Sequence, residues 1–150
     1  MNTLVTPVQV LKLAFGEGEY LPPEIIAEAD IAGAEQRHIV PVVGRALYEK
    51  LLAGSYPDFR TEYLASPAAL FTRAVRTEQC GTTAPKSAYA QPAGDTARRH
   101  LRRALLAQAR TLLHRAAEYL RAHRDEFPEY DPENDIFNRC TTDGGFVQIR

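Results

Sequence analysis

The chain has 150 residues, with 45% hydrophobic and 25% charged side chains and a formal net charge of −1. That composition is ordinary for one globular domain, long enough to bury roughly 70% of its unfolded surface without a metal or disulfide staple. It excludes a collagenous, low-complexity or simply polycationic chain, and no apolar run approaches the roughly 18 residues of a membrane span.

The small net charge hides strong local charge. Residues 1–63 carry nine acids and five bases, and residues 64–94 one acid and three bases. Residues 95–124 carry eight bases and two acids, and residues 125–150 seven acids and two bases. This alternation argues against simple coating of nucleic acid and suits complementary patches within or between subunits. Cys80 and Cys140 lack CxxC spacing, which points to a reduced compartment and not to a disulfide framework. The N-terminus has no basic start followed by a long apolar core, so it does not read as a signal peptide, and a soluble intracellular product is expected.

Taken in order, Thr6-Pro7 opens a short helix, with Thr6 as cap and Pro7 in the first turn, where a missing N–H costs nothing. Val8, Leu11, Leu13 and Phe15 form its expected apolar side, and Gly16 and Gly18 its stop. Pro22-Pro23 starts a second helix from Glu24 to about Val40, with Ile25, Ala29, Ala32, Gln36 and Ile39 inward. Gly33 inside it is either slack or a close approach of a neighbour, at a cost of roughly 1 kcal/mol against Ala. Pro41 then bends or restarts the chain. A third helix follows from Val42 to Leu52, with Val43, Leu47, Tyr48 and Leu51 inward and Gly54 as its stop.

Pro57 leads into a turn or short helix over Asp58 to Leu64. Ser66-Pro67 repeats the cap-plus-proline signal and opens a helix to about Thr77. Residues 79–94 read as a mobile loop. The run from Asp95 to Phe127 reads as one long helix, capped by Asp95 and stopped by Pro128, around which the rest of the chain is expected to pack. Leu101, Leu105, Gln108/Ala109, Leu112, Ala116, Tyr119/Leu120 and Phe127 fall on one face, with the eight arginines mostly on the others. Asp143-Gly144-Gly145 signals a tight turn, and Phe146, Val147 and Ile149 a short strand, for which Ile136-Phe137 or a neighbouring subunit is the expected partner. The fold class is therefore all-α, one helical domain over residues 1–150 with a small C-terminal β element.

The sequence has no HExxH, GxSxG, Walker loop or GxGxxG. No two of His38, His100, His114 and His123 stand three or four apart, so they read as solvated or interface side chains, with neither metal nor cofactor expected. An EF-hand loop begun at Asp131 has Ile136 where Gly is needed and Thr142 where Glu is needed; the acidic run from Asp125 to Asp135 reads as a solvated or subunit-facing patch. No enzyme is expected. Arg98, Arg99, Arg102, Arg103 and Arg110 make the candidate interface. They are expected to face acidic neighbours or the DNA channel, and the alternative function is a nucleic-acid-binding protein acting through residues 98–124.

Asp30 to Gly54 contains Ala34-Glu35, Ile39, Pro41, Gly44, Leu47-Tyr48 and Leu51, in the pattern A-E-x3-I-x-P-x2-G-x2-L-Y-x2-L. This stretch resembles the small helical head–tail connector proteins of tailed bacteriophages and prophages. The long helix ending in Phe127-Pro128 and the Gly-Gly-aromatic ending are also similar. The motif reads as a fold signature, since nothing in it is a nucleophile or metal ligand. The resemblance implies a structural protein that forms a homo-oligomeric ring with the portal protein and a tail-completion protein as partners and extends the DNA channel. It also implies assembly in the bacterial cytoplasm, a final place in the virion neck, and no membrane partner.

Overall fold

The computed structural model describes residues 2–16, 21–79, 94–143 and 146–149. The Gly18 stop, the loop after Gln79 with Cys80, and the Gly144-Gly145 turn lie outside these residues.

Helix α1 (Pro7–Ala14) starts as expected. Gln9 donates its backbone N–H to the Thr6 hydroxyl, and the Gln9 side chain accepts the Thr6 N–H at 2.9 Å, a reciprocal capping box. Its inward face is Val10 and Ala14; Val8 and Leu13, expected inside, are exposed. A 3-10 turn occupies Pro23–Ile25, so the second helix begins at Glu28 and not at Glu24.

Helix α2 spans residues 28–43. It is α-helical over Glu28–Ala34, widens into a π turn over Glu35–Ile39, and closes as α over Val40–Val43. Pro41 therefore neither breaks nor restarts it. A proline ring inside a helix clashes with the carbonyl four residues back and lacks one N–H. For Pro41 that carbonyl belongs to Arg37, inside the widened turn, where Val40 N–H reaches back to Glu35. The break comes at Gly44, whose φ of +83° is reserved for glycine. Ile31, Ala34, Glu35 and Ile39 are buried, whereas Ile25, Ala29 and Gln36 are exposed. The wide turn shifts the helical phase, so a constant 3.6-residue period misassigns the stripe. A Cβ placed on Gly33 meets nothing within 4 Å, so Gly33 is slack.

Helix α3 (Arg45–Leu52) buries Leu47, Tyr48 and Leu51, as expected, and Gly54 follows it at φ +94°. Helix α4 spans residues 57–79: Pro57–Phe59, a second π turn over Arg60–Leu64, then Ala65–Gln79. Ser66-Pro67 thus lies inside a helix and does not open one. The carbonyl threatened by Pro67 is that of Tyr63, again within a π turn. The same device passes a proline through both helices.

Helix α5 (Asp95–Ala122) has Gly94 as N-cap, places Asp95 in its first turn, and ends at His123. Phe127 lies beyond it in a turn. Leu105, Ala109, Leu113, Ala116, Ala117 and Leu120 are its buried residues, and Leu101 is 40% exposed. The bundle is built on the α4–α5 pair, with α1 and α2 packed on α4. The long helix is thus one half of the central pair, and α4 supplies the surface the N-terminal helices share. Small residues permit this: Ala65, Ala68, Ala69 and Ala74 are buried on α4. One hydrophobic cluster runs from Leu4 to Tyr130.

Helix α6 (Ile136–Arg139) leads into β1 (Cys140–Asp143), which pairs antiparallel with β2 (Phe146–Ile149), Cys140 opposite Ile149 and Asp143 opposite Phe146. The β element is present, but its partner strand is Cys140–Asp143. Ile136-Phe137 is helical.

Candidate interaction surfaces

The motif residues form a packed unit. Ala34, Ile39, Leu47 and Leu51 are 0% exposed, Pro41 follows the π turn, and Gly44 makes the corner between α2 and α3. Glu35 is also 0% exposed and has a chemical role that its place in a motif did not reveal. It accepts hydrogen bonds from the Leu4 N–H at 2.8 Å and the Tyr48 hydroxyl at 2.7 Å. Arg60, from the π turn of α4, donates to the Leu4 carbonyl at 2.8 Å and the Thr3 carbonyl at 3.3 Å. The N-terminal segment is thereby clamped to α2, α3 and α4. Burial raises the Glu35 carboxyl above its usual range, and the bonds from Tyr48 and the Leu4 and Val5 amides oppose the rise.

A second buried carboxylate, Asp135, accepts the Tyr130 hydroxyl at 2.6 Å and the Phe137 N–H at 2.9 Å. It fixes the turn after α5 and caps α6. The acidic run is therefore not uniformly solvated. Asp131 bonds the Glu133 N–H and the Asn134 amide, while Asp125, Glu126 and Glu133 are exposed. Among the described residues no group of three or more His, Cys, Asp or Glu is placed to hold a metal ion.

The five candidate arginines divide into two sets. Arg99, Arg103 and Arg110 are exposed, and Arg98 and Arg102 are half-buried. Arg98 and Arg102 continue the buried stripe of Leu105, Ala109 and Leu113 toward the N-terminus at steps of three and four. Arg98 pairs with Asp95 in the same turn. The stripe was expected to be apolar to its start, with arginine on other faces; instead its first two turns are basic. Arg37 from α2 adds to this end. Burial, then Arg37, Arg110 and Arg102, push His38 down to about 4.

Of the histidines read as solvated or interface side chains, His100 and His114 are exposed and His38 and His123 half-buried, and three of them stack on aromatic rings. His38 stacks on Phe71 with ring centroids 4.2 Å apart, and His114 on Phe137 at 3.6 Å. His123 stacks on Tyr119 at 4.1 Å. Each pair bridges chemistry that sequence spacing does not connect, except Tyr119 and His123, which are four apart on one helix.

At the other end of α5, Tyr119 stacks on Tyr63 at 4.5 Å, and the Arg115 guanidinium lies 5.4 Å from the Tyr63 ring centre. Phe59 and Phe127 close the inner side, 5.0 Å apart. No described helix is long and apolar enough to cross a membrane.

These features define an all-α helical bundle. A family profile matches residues 63–137, from the middle of α4 through Phe137. The chain belongs to that family, DUF6712, a family of unknown function. The matched half holds α4 from Tyr63 onward, α5, Tyr63 and Tyr119 of the aromatic stack and the Asp135 turn, and lies beyond the 34–51 motif. No curated protein and no solved structure matches the chain.

Proposed function

We propose that this chain is a structural virion protein of a tailed phage or prophage, a head–tail connector that forms or joins a ring between portal and tail. The observation that carries the reading is the motif Ala34, Glu35, Ile39, Pro41, Gly44, Leu47, Tyr48 and Leu51, which packs as one kinked two-helix unit. Its polar member is committed to holding the N-terminus. Exposed Arg99 and Arg103 near the start of the 28-residue α5, with exposed Asp58, Glu62 and Glu126 about Tyr119 near its end, support a head-to-tail contact that closes by rotation. The portal and a tail-completion protein are the proposed neighbours, and the virion neck the proposed location.

Deletion of the gene from an inducible prophage tests this reading. Filled heads and free tails should accumulate unjoined, and expression of the intact chain from a plasmid should restore tailed particles. Normal yields of tailed particles from the deletion would contradict it.

A second reading rests on Arg99, Arg103 and Arg110, which lie exposed on one stripe of α5: direct binding of nucleic acid. A gel shift that weakens steeply as salt rises is its signature.

A further inference from the structure

Tyr63, Tyr119 and His123 form a ladder of three stacked rings, successive planes tilted by 27° and 24° and none of them fully buried, along the edge where α4 meets the end of α5. Asp58, Glu62 and Glu126 are exposed around it. All three carboxylates act on the Tyr119 phenol, raising its pKa in addition to the larger effect of burial. Tyr119 has a ring on each of its faces, so the stack offers its edges to solvent, rimmed by carboxylates. An arginine or lysine fits such a rim: its charged head pairs with the carboxylates, and its methylenes cover the ring edges. The ladder already takes one guanidinium, that of Arg115, 5.4 Å from the centre of Tyr63.

The complementary surface is on the same helix. Arg99 and Arg103 are exposed near its start. They cannot reach the ladder within one chain. Arg103 and Tyr119 are sixteen positions apart on α5, which separates them by about 24 Å along the axis and roughly 160° around it. Two such surfaces, distant and facing apart, can meet only between copies, in a heterologous contact. We propose that the Tyr63–Tyr119–His123 ladder, with its rim of Asp58, Glu62 and Glu126, is the docking surface for the arginine-bearing first half of α5 in a second copy of this chain. The proposal deepens the ring reading, on which it rests for the identity of the occupant. Arginine is the fitting residue, since its planar guanidinium pairs with carboxylates through two parallel bonds while its stem packs on the ring edges.

Charge exchange across the contact tests it. One variant carries Glu62→Arg and Glu126→Arg, the other Arg99→Glu and Arg103→Glu; all four positions are exposed, and circular dichroism checks that both fold. Sedimentation velocity at low salt, up to the solubility limit, should show association of the unaltered chain that declines as salt rises. Each variant alone should remain monomeric. An equal mixture should associate, because every contact then joins opposite charges. Association of either variant alone to the extent of the unaltered chain overturns the proposal, as does a monomeric mixture or a monomeric unaltered chain. Particle analysis separates this outcome from failure of the ring reading. A chain present in the neck with a monomeric mixture removes this contact alone; an associating mixture with a chain absent from particles keeps the contact and removes the neck.

Discussion

Tyr48 donates a 2.7 Å hydrogen bond to the buried carboxylate of Glu35 across the corner made by Gly44. That bond joins the two helices of the motif, and the second oxygen of the same carboxylate holds the Leu4 N–H. Glu35 is the point at which three separate segments are fastened.

Replacing Glu35 by Ala leaves the Tyr48 hydroxyl and the Leu4 N–H without their buried acceptor. The expected loss is roughly 2 to 4 kcal/mol, read from urea unfolding midpoints. Glu35→Gln tests the charge. A carboxyl whose folded pKa is raised above 4.5 binds its proton more tightly in the folded state. Its contribution to stability is complete below 4.5 and declines as pH rises through the raised value. The unaltered chain should therefore lose stability relative to Glu35→Gln on going from acid to neutral pH. A constant difference would show that burial does not shift this group.

His38 works in the opposite sense. Its folded pKa is lowered from 6.5 to about 4, so the stability it lends is complete above 6.5 and lost as pH falls toward 4. His38→Phe keeps a ring on Phe71 and removes the titration. Its unfolding free energy should fall less than that of the unaltered chain across that window. Because the imidazole is only half-buried, the difference should be on the order of 1 kcal/mol.

Gly33 and Gly44 should respond to alanine with opposite signs. Gly33 is helical, and a methyl group at its Cβ position would have nothing within 4 Å; Gly33→Ala should stabilise by about 0.5 to 1 kcal/mol through the unfolded chain. Gly44 also has open space, but its φ is +83°. Gly44→Ala should cost roughly 1 to 3 kcal/mol in backbone strain alone. Thermal midpoints of the two variants decide this, and equal shifts would contradict the backbone account.

Tyr130→Phe removes the 2.6 Å bond to Asp135 and leaves that buried carboxylate with its Phe137 N–H. Loss of a charge-assisted bond at a buried site should cost about 1.5 to 3 kcal/mol. The turn after α5 should then show faster amide exchange than α4. Unchanged exchange at Phe137 would mean that the turn is held by packing of Phe127 alone.

Local rules served well where one residue settles a local choice. Thr6-Pro7 capped α1, and Gly54 ended α3; Leu47, Tyr48 and Leu51 followed a plain helical period. They failed where a tertiary contact overruled the local signal. Pro41 and Ser66-Pro67 read as breaks because an isolated α-helix cannot admit them, but a π turn before each one absorbs the ring. That extra residue also displaced the expected stripe of α2. Asp135 was hidden among exposed acids, and its partner Tyr130 is visible only once the turn is closed. Thr141 and Thr142 carry no alternation, so the strand that pairs with Phe146–Ile149 had no signature. Of the candidate surface, the exposed arginines were legible as charge. The aromatic ladder was not, because Tyr63 and Tyr119 come from different helices.

The most direct test of the connector account is an immunoblot for this chain on tailed particles purified from an induced culture of its source, fractionated alongside capsid and portal proteins. The account predicts a band that co-sediments with both and stays with heads after the tails are removed. Intact tailed particles that lack the chain would contradict it and leave binding of nucleic acid by α5 as the reading to pursue.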